Sequence, residues 1–137
     1  RNYLIIQKYR YKDKFDWIIK NKLYNARTGD TRGSLRLSPK ETGAKYLLLH
    51  GPDGTKTGKL YKLSDKGPRI FSKKDLIDKE YINPSKEFYL VYDIVGEAEE
   101  EFRNYQWDIT QLAGYTHYRG SGLPFAVSLA DLMKVLV

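Results

Sequence analysis

Few residues in this sequence stand in arrangements that could carry a reaction. The stretch Gly51-Pro52-Asp53-Gly54-Thr55-Lys56-Thr57-Gly58-Lys59 follows a hydrophobic run and has the glycines and lysine of a phosphate-cradling loop. Such a loop needs glycine five residues before its Gly-Lys pair and Ser or Thr directly after it. Those positions are Asp53 and Leu60, and a strand-like run follows where a helix should begin to receive phosphate. A β-hairpin turn fits the stretch better. His50 and His117 are far apart, and no cysteine exists to complete a zinc site. No spacing of Ser, His and Asp selects a nucleophilic triad. Asp93, Glu97, Glu99, Glu100 and Glu101 lack the neighbouring lysine of a magnesium nuclease core. They read as a solvated acidic loop. The sequence predicts no catalytic centre, no metal and no cofactor.

Binding chemistry is better represented. Between Leu23 and Leu37, Arg27, Arg32 and Arg36 alternate with Asn25, Thr28, Thr31 and Ser34, and two glycines separate them. Arg grips guanine bidentately, Asn does the same for adenine, and Ser, Thr and Arg hold phosphates. A second group is Arg103, Asn104, Tyr105 and Gln106, beside Trp107. A third is Arg119 in a Gly-flanked turn. Lys8, Arg10, Lys12 and Lys14, and the basic segment Lys73 to Lys79, add sequence-independent attraction for a polyanion. Trp107 reads as a core residue rather than a stacking platform.

The charge distribution agrees. The chain has 137 residues and a net charge of +7. Residues 1–40 hold 11 basic and 3 acidic residues, a balance of +8. Residues 41–80 hold 9 and 6, a balance of +3, and residues 81–137 hold 4 and 8, a balance of −4. Positive charge gathered at one end of a chain suits a nucleic-acid partner. Without cysteine, disulfides and thiol nucleophiles are excluded. No apolar run reaches membrane-spanning length and no signal peptide is visible, so a cytoplasmic, membrane-free protein is expected. The length suits one domain over 1–137. An opening Arg1 in place of Met reads as an N-terminal fragment of a larger protein.

The elements that must position these residues are mostly strands. Turn signals recur every 8 to 15 residues, which points to a mainly β, α+β barrel or sandwich. Strands are expected over 3–9, 34–37, 44–50, 58–63, 87–95 and 106–112, with 17–19 ambiguous. Ser72 is placed to cap a helix over 73–81, and Ser128 one over 128–137. Residues 13–22 form a third helix candidate.

In this order, the Thr-Gly-rich loop, the hairpin, the helix, the long strand and the closing Tyr118-Arg119-Gly120-Ser121-Gly122-Leu123-Pro124-Phe125 resemble the B3-like, or plant-type pseudobarrel, DNA-recognition domains of restriction endonucleases. Gly-Leu-Pro-Phe before a Leu-rich helix is most similar to the LlaJI-type amino-terminal domain. The resemblance implies an open seven-stranded β-pseudobarrel with two or three short helices. It implies site-specific binding of double-stranded DNA through two major-groove arms, mapped onto 27–36 and 103–108. Motor and nuclease parts of the restriction-modification system would lie elsewhere. Two alternatives stay open. One is a PUA-like or EVE-like reader that cages a modified or flipped base, using Trp17, Trp107 or the tyrosines. The other is a protein-interaction module with an incidentally basic surface.

Overall fold

Leu4-Ile5-Ile6 and Leu47-Leu48-Leu49 are apolar without alternation, so the strands that carry them must be covered on both faces. They form β1 (Tyr3–Lys8) and β3 (Tyr46–His50), which lie side by side in parallel, Leu4 beside Tyr46 and Lys8 beside His50. The computed structural model describes residues 2–29, 38–52, 59–115 and 124–137. Its remaining strands are β2 (Leu23–Gly29), β4 (Leu60–Leu63), β5 (Arg69–Ser72), β6 (Phe88–Glu97) and β7 (Phe125–Ser128). The sheet order is β2-β6-β4-β3-β1-β7, with β5 also on β6. The seven strands make one curled, open half-barrel, the mainly β pseudobarrel architecture expected from the sequence.

β6 gives the sheet its curl. Its first half runs between β2 and β5, with Leu90 beside both Ala26 and Ile70. Its second half leaves them and pairs with β4, through a register shift between Lys62 and Leu63. A bulge of this kind bends a strand and increases its twist.

Three apolar clusters follow from this geometry. The inner one gathers Ile5, Leu47, Leu49, Tyr61 and Leu63 from one wall and Tyr24, Ala26, Leu90 and Tyr92 from the other. On the outer face of the first wall, Trp107, Ile109, Leu112 and Leu132 cover Leu4, Ile6, Leu48 and Leu60. On the outer face of the second wall, Leu76 covers Leu23, Tyr89 and Val91. β1 and β2 are not paired as strands. The Tyr24 hydroxyl bridges them by donating to Gln7 Oε1 at 3.1 Å.

Among the described residues there are four short helices: α1 (Lys12–Asn21), α2 (Pro39–Thr42), α3 (Lys73–Asp78) and α4 (Leu129–Met133). α1 buries Ile18 in the inner cluster and so closes the gap between β1 and β2. Trp17–Ile19, ambiguous in sequence, belongs to this helix. Ser72 and Asp75 form a capping box on α3, and Ser128 accepts from the Asp131 amide on α4. α3 stops at Asp78, three residues before the expected end. The Glu80 amide bonds to Ile77 O and the Tyr81 amide to Leu76 O, with Glu80 left-handed at φ 64°. That is the usual helix stop, made here without its usual glycine. No helix among the described residues is long and apolar enough to cross a membrane.

One expected strand is absent. Residues 106–112 form a single bridge, Trp107 to Leu136, and then a 3-10 turn over Ile109–Gln111. Asp108 starts that turn by accepting from the Thr110 amide at 3.1 Å. The expected strand 34–37 lies outside the described residues. β2, β5, β7 and α2 were not anticipated.

Candidate nucleic-acid interface

The residues singled out in the sequence fall into three groups. Asn25 lies within β2 and is only 4% exposed. Its Oδ1 accepts from Lys14 Nζ at 2.5 Å, so this side chain holds α1 against β2 and is not offered to a base. Arg27 and Thr28 are in the backbone of β2, where a bulge separates Arg27 from Gly29. Their side chains, and Thr31, Arg32, Ser34, Arg36 and Arg119, lie outside the described residues.

The second group follows a 3-10 turn over Glu100–Phe102. Arg103, Asn104 and Gln106 are exposed. Arg103 Nε donates to Ala98 O at 3.4 Å, which holds the arginine close to Glu99, Glu100 and Glu101 in the chain. Tyr105 is half-buried, with the rings of Phe102 and Trp107 about 6 Å away on either side. Trp107 is completely buried in the outer cluster, so it cannot form a wall of an open cage. The three polar side chains therefore ride on a segment fixed from below by aromatic packing. The acidic surroundings of that segment repel phosphate.

The acidic side chains near β6 are engaged with cations. Asp93 receives two hydrogen bonds from Arg69, at 2.9 and 2.7 Å. Glu97 pairs with Lys59, and Glu99 with Lys62. The Tyr46 hydroxyl donates to Glu99 at 2.7 Å and holds its carboxyl below the ordinary range. His50 is buried, with Nδ1 against Gly51 O at 2.7 Å and Nε2 against the Tyr115 hydroxyl at 2.5 Å. The Gly51 carbonyl can only accept, so Nδ1 carries a hydrogen and donates to it. His117 lies outside the described residues. Among the described residues, no three His, Asp or Glu side chains are grouped as metal ligands would be.

The third group is the turn that joins β1 to α1. Lys8 and Arg10 form no ion pair among the described residues, and Lys12 makes only a long contact to Asp16, 3.8 Å. Lys59, Lys62, Arg69 and Lys73 elsewhere each face a carboxylate. Beside this turn is a cleft of about 350 Å³ lined by Tyr11, Asp13, Lys14, Trp17, Glu80, Tyr81 and Ile82. Trp17 and Tyr81 meet edge to face, ring centres 4.9 Å apart. Trp17 Nε1 donates to Lys79 O at 2.9 Å, which fixes the indole. Lys14 Nζ accepts a place between them: it donates to the Tyr81 hydroxyl at 3.0 Å and sits 4.7 Å over that ring and 6.0 Å over Trp17. Tyr11 and Ile82 are largely exposed at the rim.

No protein-family model, curated protein or solved structure matches the chain.

The cleft was only partly legible in sequence. Trp17 was one of two tryptophans that could serve a cage, but Tyr81 is 64 positions away and only the packing of α1 on the turn after α3 brings them together.

Proposed function

We propose that this chain is a non-catalytic domain that binds double-stranded DNA at a specific site, as the target-recognition part of a restriction-modification enzyme in the cytoplasm. Its partners would be the duplex and the motor or nuclease parts of that system. The observation that supports this reading is the basic run Lys8, Arg10, Lys12 and Lys14 across the end of β1 and the start of α1, beside an aromatic cleft; among the described residues Lys8 and Arg10 form no ion pair. Cations already paired to carboxylates release few counterions on binding DNA, whereas unpaired ones contribute the salt-dependent attraction. The half-barrel supports the same reading, because β2 leads directly into the Arg-bearing segment 27–36.

The reading is tested by titrating the domain against random duplexes, unmodified and methylated, at two salt concentrations, and sequencing the bound fraction. Enrichment of one short unmethylated motif, lost when residues 27–36 are replaced as a block, is the expected result. Binding without any enrichment would reduce the claim to a non-specific basic surface. A second reading, capture of a modified or flipped base, is favoured by the cleft at Trp17 and Tyr81. Enrichment of methylated duplexes alone would favour it.

A further inference from the structure

We infer that Tyr11 and Ile82 form an apolar wedge that parts one base step of the duplex and kinks it, with both strands still paired on either side. The inference rests on the duplex-binding reading above and adds a deformation of the ligand to it. It differs from base capture, in which one base leaves the helix altogether. Ile82 and Tyr11 are the most exposed large apolar side chains among the described residues, at 76% and 73%. Single exposed apolar residues are ordinary on a protein surface. These two come from different elements and line one cleft.

Both stand on fixed backbone. The Tyr11 carbonyl accepts from the Lys14 and Phe15 amides at 3.1 and 3.3 Å as α1 begins, and its side chain takes no part in capping that helix. Ile82 follows Tyr81, whose ring packs edge to face on Trp17 and whose amide is bonded to Leu76 O. It precedes Asn83, left-handed at φ 53°, and the buried Pro84. The turn is thus pinned on both sides of Ile82. A wedge must be held in this way, because a mobile side chain would fold aside before two stacked base pairs gave way. The charges favour a duplex as the partner. Lys8, Arg10 and Lys12 flank Tyr11 in the chain, and the exposed Lys79 stands three residues before Ile82. Such cations draw the phosphates on either side of an opened step. Asp13 lines the cleft itself and repels phosphate from it, so the backbone follows the basic margin and the base pairs face the apolar pair. Isoleucine is among the side chains that enter between base pairs from the minor groove and bend the duplex. The tyrosine ring offers a flat face on which a parted base pair can stack. Pyrimidine–purine steps part most easily, so the wedge would favour such a step without any hydrogen bond to it.

The experiment uses the whole chain and a short duplex with a dye at each end and one central TA step, either intact or nicked at that step. Affinity is read by anisotropy and the end-to-end separation by energy transfer, at low and moderate salt. Binding should bring the two ends closer. The nicked duplex, already easy to kink, should bind about tenfold more tightly than the intact one. Tyr11→Ser combined with Ile82→Ser should lose both effects. Serine is a favourable residue at the start of a helix and position 82 is exposed, so the fold should be kept. Ile77→Ser, at an exposed isoleucine of α3 outside the cleft, should behave as wild type. A bound duplex whose ends keep their free separation, or a bend that survives the double substitution, would overturn the inference while leaving duplex binding intact. A straight bound duplex in which a central fluorescent adenine analogue brightens would overturn it in favour of base capture. Failure to bind any duplex, even at low salt, would overturn the underlying nucleic-acid reading and this inference with it.

Discussion

Lys14 should be worth more to this fold than its half-exposed position suggests. Its ammonium donates to the buried Oδ1 of Asn25 at 2.5 Å and to the Tyr81 hydroxyl at 3.0 Å, and it lies over the Tyr81 ring. Lys14→Met keeps the stem and removes the charge. Loss of the donor to a buried carboxamide oxygen costs about 1–3 kcal/mol. Loss of the cation over the ring adds about 0.5–1 kcal/mol. A total of about 1.5–4 kcal/mol corresponds to a fall in Tm of roughly 5–14 °C for a domain of this size. The assay is urea unfolding followed by tryptophan fluorescence, run as a double-mutant cycle with Asn25→Leu. In the double variant the polar pair is replaced by apolar groups, and most of the loss should be recovered. If Lys14→Met costs the same whether residue 25 is Asn or Leu, the bond does not hold α1 to β2 and the reasoning fails.

Lys8→Ala should weaken binding to all duplexes about equally and flatten the slope of log affinity against log salt by about 1. Arg32→Ala should lower affinity for the cognate duplex alone by roughly 1–3 kcal/mol, and an unchanged cognate-to-random ratio would show that the first arm is misplaced. Trp107→Ala should destabilise the domain by about 3–5 kcal/mol, read by chemical unfolding, because it empties the centre of the outer cluster. Glu99→Gln should lower Tm near neutral pH. Tyr46 donates to the Glu99 carboxylate, and the Glu99 amide and Lys62 add to this, so its pKa is lower folded than unfolded. The stabilisation is present above the unfolded value and lost as pH falls through the folded one, so wild type and variant should converge once the pH lies below the folded value.

Elements with strong local signals were legible in the sequence. The apolar runs of β1, β3 and β6 announced strands, and Ser72 and Ser128 announced the starts of α3 and α4. β2 was hidden because Tyr24-Asn25-Ala26-Arg27 is rich in polar groups, and those groups suggested a loop. Lys14, a residue from another element, supplies the donor that satisfies the buried Asn25 Oδ1. The strand expected at 106–112 failed for the reverse reason. Its aromatic and β-branched residues serve a cover over the outer cluster, and Asp108 turns the backbone before a ladder can form. Arg103, Asn104 and Gln106 are exposed, but their acidic setting depends on the turn of the chain after β6. The cleft joins residues from two helical ends, and periodicity within either segment says nothing of the other.

β6 also sets the order in which this protein can be made. β2 has no strand partner other than β6 among the described residues, and about sixty residues separate the end of one from the start of the other. As the chain leaves the ribosome, β1, β3 and β4 can associate early, while β2 waits with an unpaired backbone until Phe88–Glu97 has emerged. Long-range pairing of this kind is slow, and a waiting strand is open to wrong partners. A stop or pause in translation just before residue 88 would leave a nascent chain with one wall built and the other absent, and that species is the one most exposed to aggregation and to proteases.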